Sequence, residues 1–130
     1  MKPIPVYALV LAAVALTAAD APKPAKDAKS ADHKCFWARN VTSFEAADDT
    51  HVNIRVGVRD VYAMTLFAPC PEVDWAQRVA LRSRGSNYIC SALDAELITP
   101  SSLGRQRCAI RDIRYLTPAE VALLPKHARP

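Results

Sequence analysis

The sequence predicts a mainly β domain, α+β at the margin: a compact antiparallel sheet or small barrel with a short C-terminal helix and two disulfides. Three observations predict it. Polar and apolar residues alternate with period two along several short runs, as in half-buried strands. All three glycines fall between those runs, where a positive φ carries no steric cost. Four cysteines occur in a chain of 130 residues, enough for two bridges.

The chain opens with the three parts of an export signal. Lys2 supplies the charged start, residues 6–16 (VYALVLAAVAL) the apolar core, and Thr17-Ala18-Ala19 a small-residue cleavage site before Asp20. Residues 1–19 are therefore expected to be a signal peptide. The run falls short of the about 20 apolar residues that span a bilayer, and no cysteine offers a lipid attachment point. No stable membrane insertion is expected after cleavage, and the expected location is periplasmic or secreted. Residues 20–34 (DAPKPAKDAKSADHK) lack Leu, Ile, Val and aromatic residues, so they have no apolar area to offset ordering entropy. They read as a disordered spacer. Residues 35–125 read as one disulfide-stapled β domain and residues 126–130 as a tail.

Within the domain, His51-Val52-Asn53-Ile54-Arg55-Val56 puts Val52, Ile54 and Val56 on one strand face. Residues 57–60 (GVRD) offer a turn, and residues 61–67 (VYAMTLF) read as the hairpin partner. Residues 78–84 alternate again, 85–87 turn the chain, 88–90 and 94–99 follow as strand, and Gly104 precedes a last strand over 107–115. Residues 70–77 (CPEVDWAQ) allow a helical turn or two. Thr117-Pro118-Ala119-Glu120 is a capping box with Pro at its first helical position, Leu116 and Val121 stand where a hydrophobic staple would, and Pro125 ends the helix.

In an oxidising compartment Cys35, Cys70, Cys90 and Cys108 form two structural disulfides, and the absence of a CxxC spacing speaks against zinc or dithiol chemistry. Three connectivities are open. Cys70–Cys90 inside Cys35–Cys108 is the preferred one, a local staple within a tie between the domain ends.

Several residues together resemble a known family. Cys35-Phe36, Val41, Phe44, Asp48-Asp49, Arg59-Asp60-Val61-Tyr62, Leu66 and Cys70-Pro71 come first. Ile89-Cys90, Asp94, Cys108-Ala109-Ile110 and Ile113-Arg114-Tyr115-Leu116 follow. The pattern, over about residues 35–124, resembles an uncharacterised family of small exported proteobacterial proteins, a domain of unknown function with four similarly spaced cysteines. The resemblance implies an envelope location and strengthens the two-disulfide reading. It brings no catalytic residues.

Charge excludes one function class. The net +4 resides in the two ends, because residues 35–125 hold ten arginines, no lysine and ten carboxylates. Without a basic face, nucleic-acid binding is not expected. Chemistry is sparse too. His51 beside Asp48 and Asp49 could act as a general base, but the same residues make a polar turn entering a strand. A serine nucleophile such as Ser43 or Ser83 would have to reach His51, and no GxSxG elbow is present. Asp94 and Glu96 share a strand face and pair naturally with Arg105 and Arg107 on the next strand. Arg105, Arg107, Arg111 and Arg114 form the densest arginine group, a candidate anionic-ligand surface. Phe36, Trp37, Phe44, Trp75 and Tyr88 could line a ligand cleft, though in a small domain large aromatics more often make the core.

The expectation is thus an exported envelope protein without catalytic residues, metal or cofactor, a binding module for an envelope protein or a cell-wall component. A secreted hydrolase inhibitor presenting a loop from residues 71–89 is an alternative, and a small hydrolase using His51 is another.

Overall fold

A computed structural model describes residues 34–130. The expected signal peptide and all of the expected spacer except Lys34 lie outside the described residues.

Eight strands build the domain. β1 (Phe36–Trp37) pairs with β6 (Tyr88–Ile89) in a two-stranded ribbon. β2 (Val41–Ala46), β3 (His51–Val56), β4 (Asp60–Leu66), β5 (Ala80–Ser83), β7 (Ala95–Ser101) and β8 (Gly104–Leu116) form one antiparallel sheet in the order β2-β3-β4-β8-β7-β5. The sheet curls into a half-barrel, the expected fold class in its open form. The predicted β3–β4 hairpin is present, with Val56 opposite Asp60 and Gly57 at φ 63°, a left-handed conformation that costs glycine little.

The inner face carries the core. Val52, Ile54 and Val56 pack with Tyr62, Met64 and Leu66, with Ala95 and Leu97 of β7, and with Cys108, Ile110 and Ile113 of β8. Phe36 and Ile89 of the ribbon join the same cluster. β8 changes phase midway: Thr65 faces Asp112 while Leu66 faces Ile110, leaving Arg111 as the extra residue of a bulge. The bulge lets Ile110 and Ile113, three apart, both point inward.

The helix α1 (Pro118–Leu123) follows the predicted capping box. Thr117 Oγ1 accepts from Glu120 N at 3.3 Å, and Glu120 Oε2 accepts from Thr117 N at 2.8 Å. Val121 within it and Leu124 just after it are only half-buried. Residues 126–130, expected as a tail, instead fold back over the outer face of the sheet. Ala128 is fully buried, Asn53 Nδ2 donates to its carbonyl at 2.8 Å, and Arg55 Nε donates to Pro130 O at 2.9 Å. Val61 and Leu116, opposite each other in register, are buried but stand apart from the inner cluster.

The disulfides are Cys35–Cys90 and Cys70–Cys108, which corrects the preferred pairing of Cys70 with Cys90 and Cys35 with Cys108. Nearness in sequence misleads at this point. After Cys70 the chain leaves for the edge strand β5 and returns only at β6, whose partner is β1. Phe36 faces Ile89, so Cys35 and Cys90 are the next cross-strand pair of the ribbon, with Cα atoms 4.2 Å apart. Cys70 follows β4 and meets Cys108 on the adjacent β8. Two disulfides suggest an oxidising, non-cytoplasmic location. No helix among the described residues is long and apolar enough to cross a membrane.

Three other segments differ from expectation. Residues 70–77 form turns without helix, the expected 94–99 strand starts one residue later after a 3-10 turn over Ala92–Asp94, and β1 and β2 precede the first strand that the pattern predicts.

Candidate functional site

A cleft of about 450 Å³ opens where the ribbon meets the β3–β4 turn. Its walls come from four separate segments: Lys34 to Trp37, Asn40, Val56 with Asp60 and Tyr62, and Tyr88. Register puts Trp37 opposite Tyr88, and their rings stand 5.0 Å apart at 55°. Their inner neighbours, Phe36 and Ile89, are buried in the core, so the alternation of β1 and β6 turns Trp37 and Tyr88 outward. Trp37 is 42% exposed and Tyr88 40%. The adjoining Cys35–Cys90 bridge holds the two ribbon strands together, and Gly57 N donates to Asn40 O at 2.8 Å, tying the Asn40 turn to the β3–β4 turn.

Behind the ribbon, aromatic rings continue inward. Phe36 and Tyr62 are 4.6 Å apart, and Tyr62 meets Tyr115 edge-on at 5.5 Å. Tyr115 donates its hydroxyl to Asp60 Oδ1 over a long 3.4 Å. Burial, and then the negative charge of Asp60, pushes the Tyr62 phenol up to about 12, with Tyr115 and Tyr88 adding to the effect. Tyr62 therefore stays protonated, and its hydroxyl makes no hydrogen bond to another described residue. Two cations flank these rings: Lys34 Nζ lies 4.4 Å from the Tyr115 centroid and the Arg39 guanidinium 5.0 Å from that of Trp37. The arrangement can stack a flat ligand and offer it donors and acceptors. It holds no nucleophile with a base.

The aromatics named from the sequence thus divide. Trp37 and Tyr88 line the cleft with buried Phe36 beneath them, Phe44 packs half-buried against the core, and Trp75 stands exposed elsewhere. Sequence reasoning missed Asn40, Asp60, Tyr62 and Lys34 as cleft residues, because only the tertiary fold brings them together.

The arginine group does not converge. Arg105, Arg107, Arg111 and Arg114 are all exposed along β8, and nine residues of extended strand separate the first from the last by about 30 Å. Arg107 lies 3.8 Å from Glu96, whose side chain is 12% exposed and also has Arg82 at 3.9 Å and Arg84 at 3.7 Å. Arg114 pairs with Glu120 at 2.6 Å. Arg111 sits at the bulge. Arg105 borders a separate cleft of about 290 Å³ with Arg78, Val79, Ile98 and Pro100, which adjoins another of about 540 Å³ beside Trp75. The irregular chain of residues 71–77 supplies most of that wall. Glu72, at φ 65°, fixes it by accepting from Ser102 N at 2.8 Å and Ser102 Oγ at 2.7 Å.

Asp94 does not share a strand face with Glu96. Its carboxylate caps the 3-10 turn, accepting from Cys90 N at 3.0 Å, Ser91 N at 2.8 Å and Ser91 Oγ at 3.1 Å, bonds that lower its pKa. The Glu96–Arg107 pairing across strands is present; Asp94–Arg105 is not.

His51 does meet Asp48. Its Nδ1 is 2.9 Å from both carboxylate oxygens, and Thr50 Oγ1 is 2.7 Å from Asp48 Oδ1. Asp48 also accepts from the backbone amides of Thr50 at 2.7 Å and His51 at 2.8 Å, which closes the β2–β3 turn. Partial burial pulls its pKa up but is outweighed by the Thr50 hydroxyl, the Thr50 amide and the His51 ring, which hold it at about 2. All of Asp48's bonds are thus accounted for by the turn. Ser83 lies on β5 at the far edge of the sheet, and Ser43 stands opposite Arg55, four residues along β3 from His51. Neither serine reaches the dyad. Among the described residues no cluster of three or more His, Cys, Asp or Glu is placed to hold a metal.

A family described as a family of unknown function (DUF6491) matches residues 1–130, a longer stretch than the resemblance carried by the cysteine framework. No curated protein and no solved structure matches the chain.

Proposed function

The chain belongs to DUF6491, a family of unknown function, and on that premise we propose that it is an exported, non-enzymatic binding module of the cell envelope. Its ligand is an envelope protein or a cell-wall component, and its binding site is the aromatic cleft between the ribbon and the β3–β4 turn. One observation carries the reading: the Trp37–Tyr88 pair stays about two-fifths exposed on a disulfide-riveted ribbon, above a cleft edged by Asp60, Asn40 and Tyr62. Exposed large rings on rigid backbone lose little entropy on contact, which suits them to recognition. The cleft volume of about 450 Å³ is in the range of small-molecule sites, roughly 300–1,000 Å³. Export is supported by the leader pattern of residues 1–19 and by the pairing of all four cysteines.

The test is retention. The oxidised protein, immobilised, should retain a component of solubilised envelope that a Trp37→Ala, Asp60→Asn double variant fails to retain. Equal retention by the folded double variant would refute the cleft as the binding site. A His51→Ala variant should retain that component unchanged.

A further inference from the structure

Resting on the binding-module reading, we propose that the cleft takes a neutral, hydroxyl-rich ring, that is, a pyranose unit of a saccharide. Three features of the cleft select this chemistry. The first is charge. Asp60 is the one carboxylate and Lys34 the one ammonium among the lining residues, so the lining itself balances, and the one further charge beside it, the Arg39 guanidinium, is stacked on the Trp37 ring. Lys34 is moreover drawn onto the Tyr115 ring, so the cation–π capacity of that ring is already used within the chain.

The second is the aromatic shelf. Trp37 and Tyr88 are each about two-fifths exposed, and the apolar C–H face of a pyranose can lie on the ring surface that their mutual contact and Arg39 leave open. The third is the set of polar atoms. The Asp60 carboxylate accepts only one long bond, from Tyr115 at 3.4 Å, and so retains acceptor capacity. The Tyr62 hydroxyl, kept protonated, is a donor without a partner among the described residues, and the Asn40 amide supplies both a donor and an acceptor. An acceptor, a donor and an amide beside stacking rings match the vicinal hydroxyls of a sugar, each of which donates and accepts.

The experiment reads the two indole N–H resonances of the full, oxidised chain during titration with chitobiose, cellobiose and maltose. Choline and acetate serve as charged controls. At least one disaccharide should shift the Trp37 indole resonance while leaving Trp75 unmoved. Trp37→Ala should weaken that binding about tenfold or more. Asp60→Asn, which keeps shape and fold, should weaken it as well. The inference is overturned if none of the disaccharides moves the Trp37 resonance, if the affinity survives Asp60→Asn unchanged, or if choline or acetate moves that resonance more. Retention of an envelope component that depends on Trp37, with no response to sugars, would remove the saccharide and keep the binding module. Retention independent of Trp37 would remove both.

Discussion

Replacing Asn53 with Ala should release the C-terminal segment from the outer face of the sheet. Asn53 is 4% exposed, and its Nδ2 donates at 2.8 Å to the carbonyl of Ala128, itself fully buried. Removing the donor strands a buried carbonyl, and leaving such a group unsatisfied costs about 1–3 kcal/mol. Partial loosening of residues 126–130 lets water reach that carbonyl, so we expect a loss near the middle, about 1–2 kcal/mol. For a domain of about 100 residues each kcal/mol lowers Tm by roughly 4–8 °C, a shift that circular dichroism resolves readily. A double-mutant cycle isolates the contact. In a chain ending at Pro125 the Asn53 amide would face water, and Asn53→Ala should then cost almost nothing. Hydrogen exchange should also quicken at residues 126–130 in the single variant and stay slow in β4 and β8. If Asn53→Ala destabilises the full and shortened chains equally, the docking contact contributes nothing and the reasoning fails.

Thr117→Ala should cost about 1 kcal/mol by removing the cap of α1, measured by urea unfolding. The Thr117 amide, then Arg114 and the Thr117 hydroxyl, hold the Glu120 carboxyl at about 2 instead of 4.5. Its stabilising effect is therefore complete above pH 4.5 and is lost as pH falls toward 2, so Glu120→Gln should flatten the acid limb of stability, leaving the parts due to Asp48 and Asp94. Replacing both Cys70 and Cys108 with Ala should cost about 4 kcal/mol by loop entropy across a separation of 38 residues, seen as a large fall in urea midpoint. Glu96→Gln should cost about 1 kcal/mol or less at low salt, with the difference shrinking as salt screens its three arginines.

Local chemistry was readable in this sequence and long-range convergence was not. The β3–β4 hairpin shows itself because Val52, Ile54 and Val56 alternate without interruption and glycine follows at the turn. The helix shows itself because Thr117, Pro118 and Glu120 satisfy its own first turn. β2 escapes because Val-Thr-Ser-Phe carries a register shift between Val41 and Ser43 that breaks the alternation. β1 is two residues long and exists by virtue of β6, fifty residues away, and the Cys35–Cys90 bridge. The same distance hides the disulfide pairing. Trp37 and Tyr88 could be named as aromatics, but their exposure depends on which neighbours the ribbon buries. Asp60 and Tyr62 read as a turn residue and a strand residue, and only the ribbon packed above them makes them cleft atoms. The arginines of β8 look dense in one dimension and are strung out in three.

The order in which the two bridges connect the chain has a consequence for survival among proteases. Counting along the chain, the first cysteine joins the third and the second joins the fourth, so the two covalent loops overlap instead of nesting. Suppose the backbone is cut once between Cys35 and Cys70 and once between Cys90 and Cys108. In a nested arrangement the middle fragment, holding Cys70 and Cys90 bonded to each other, would drift away. Here that fragment is bonded to both neighbours. Two cuts in different intervals between consecutive cysteines leave one covalent molecule, whose noncovalent contacts can still hold the fold; only a cut in all three intervals separates it into two bridged pieces.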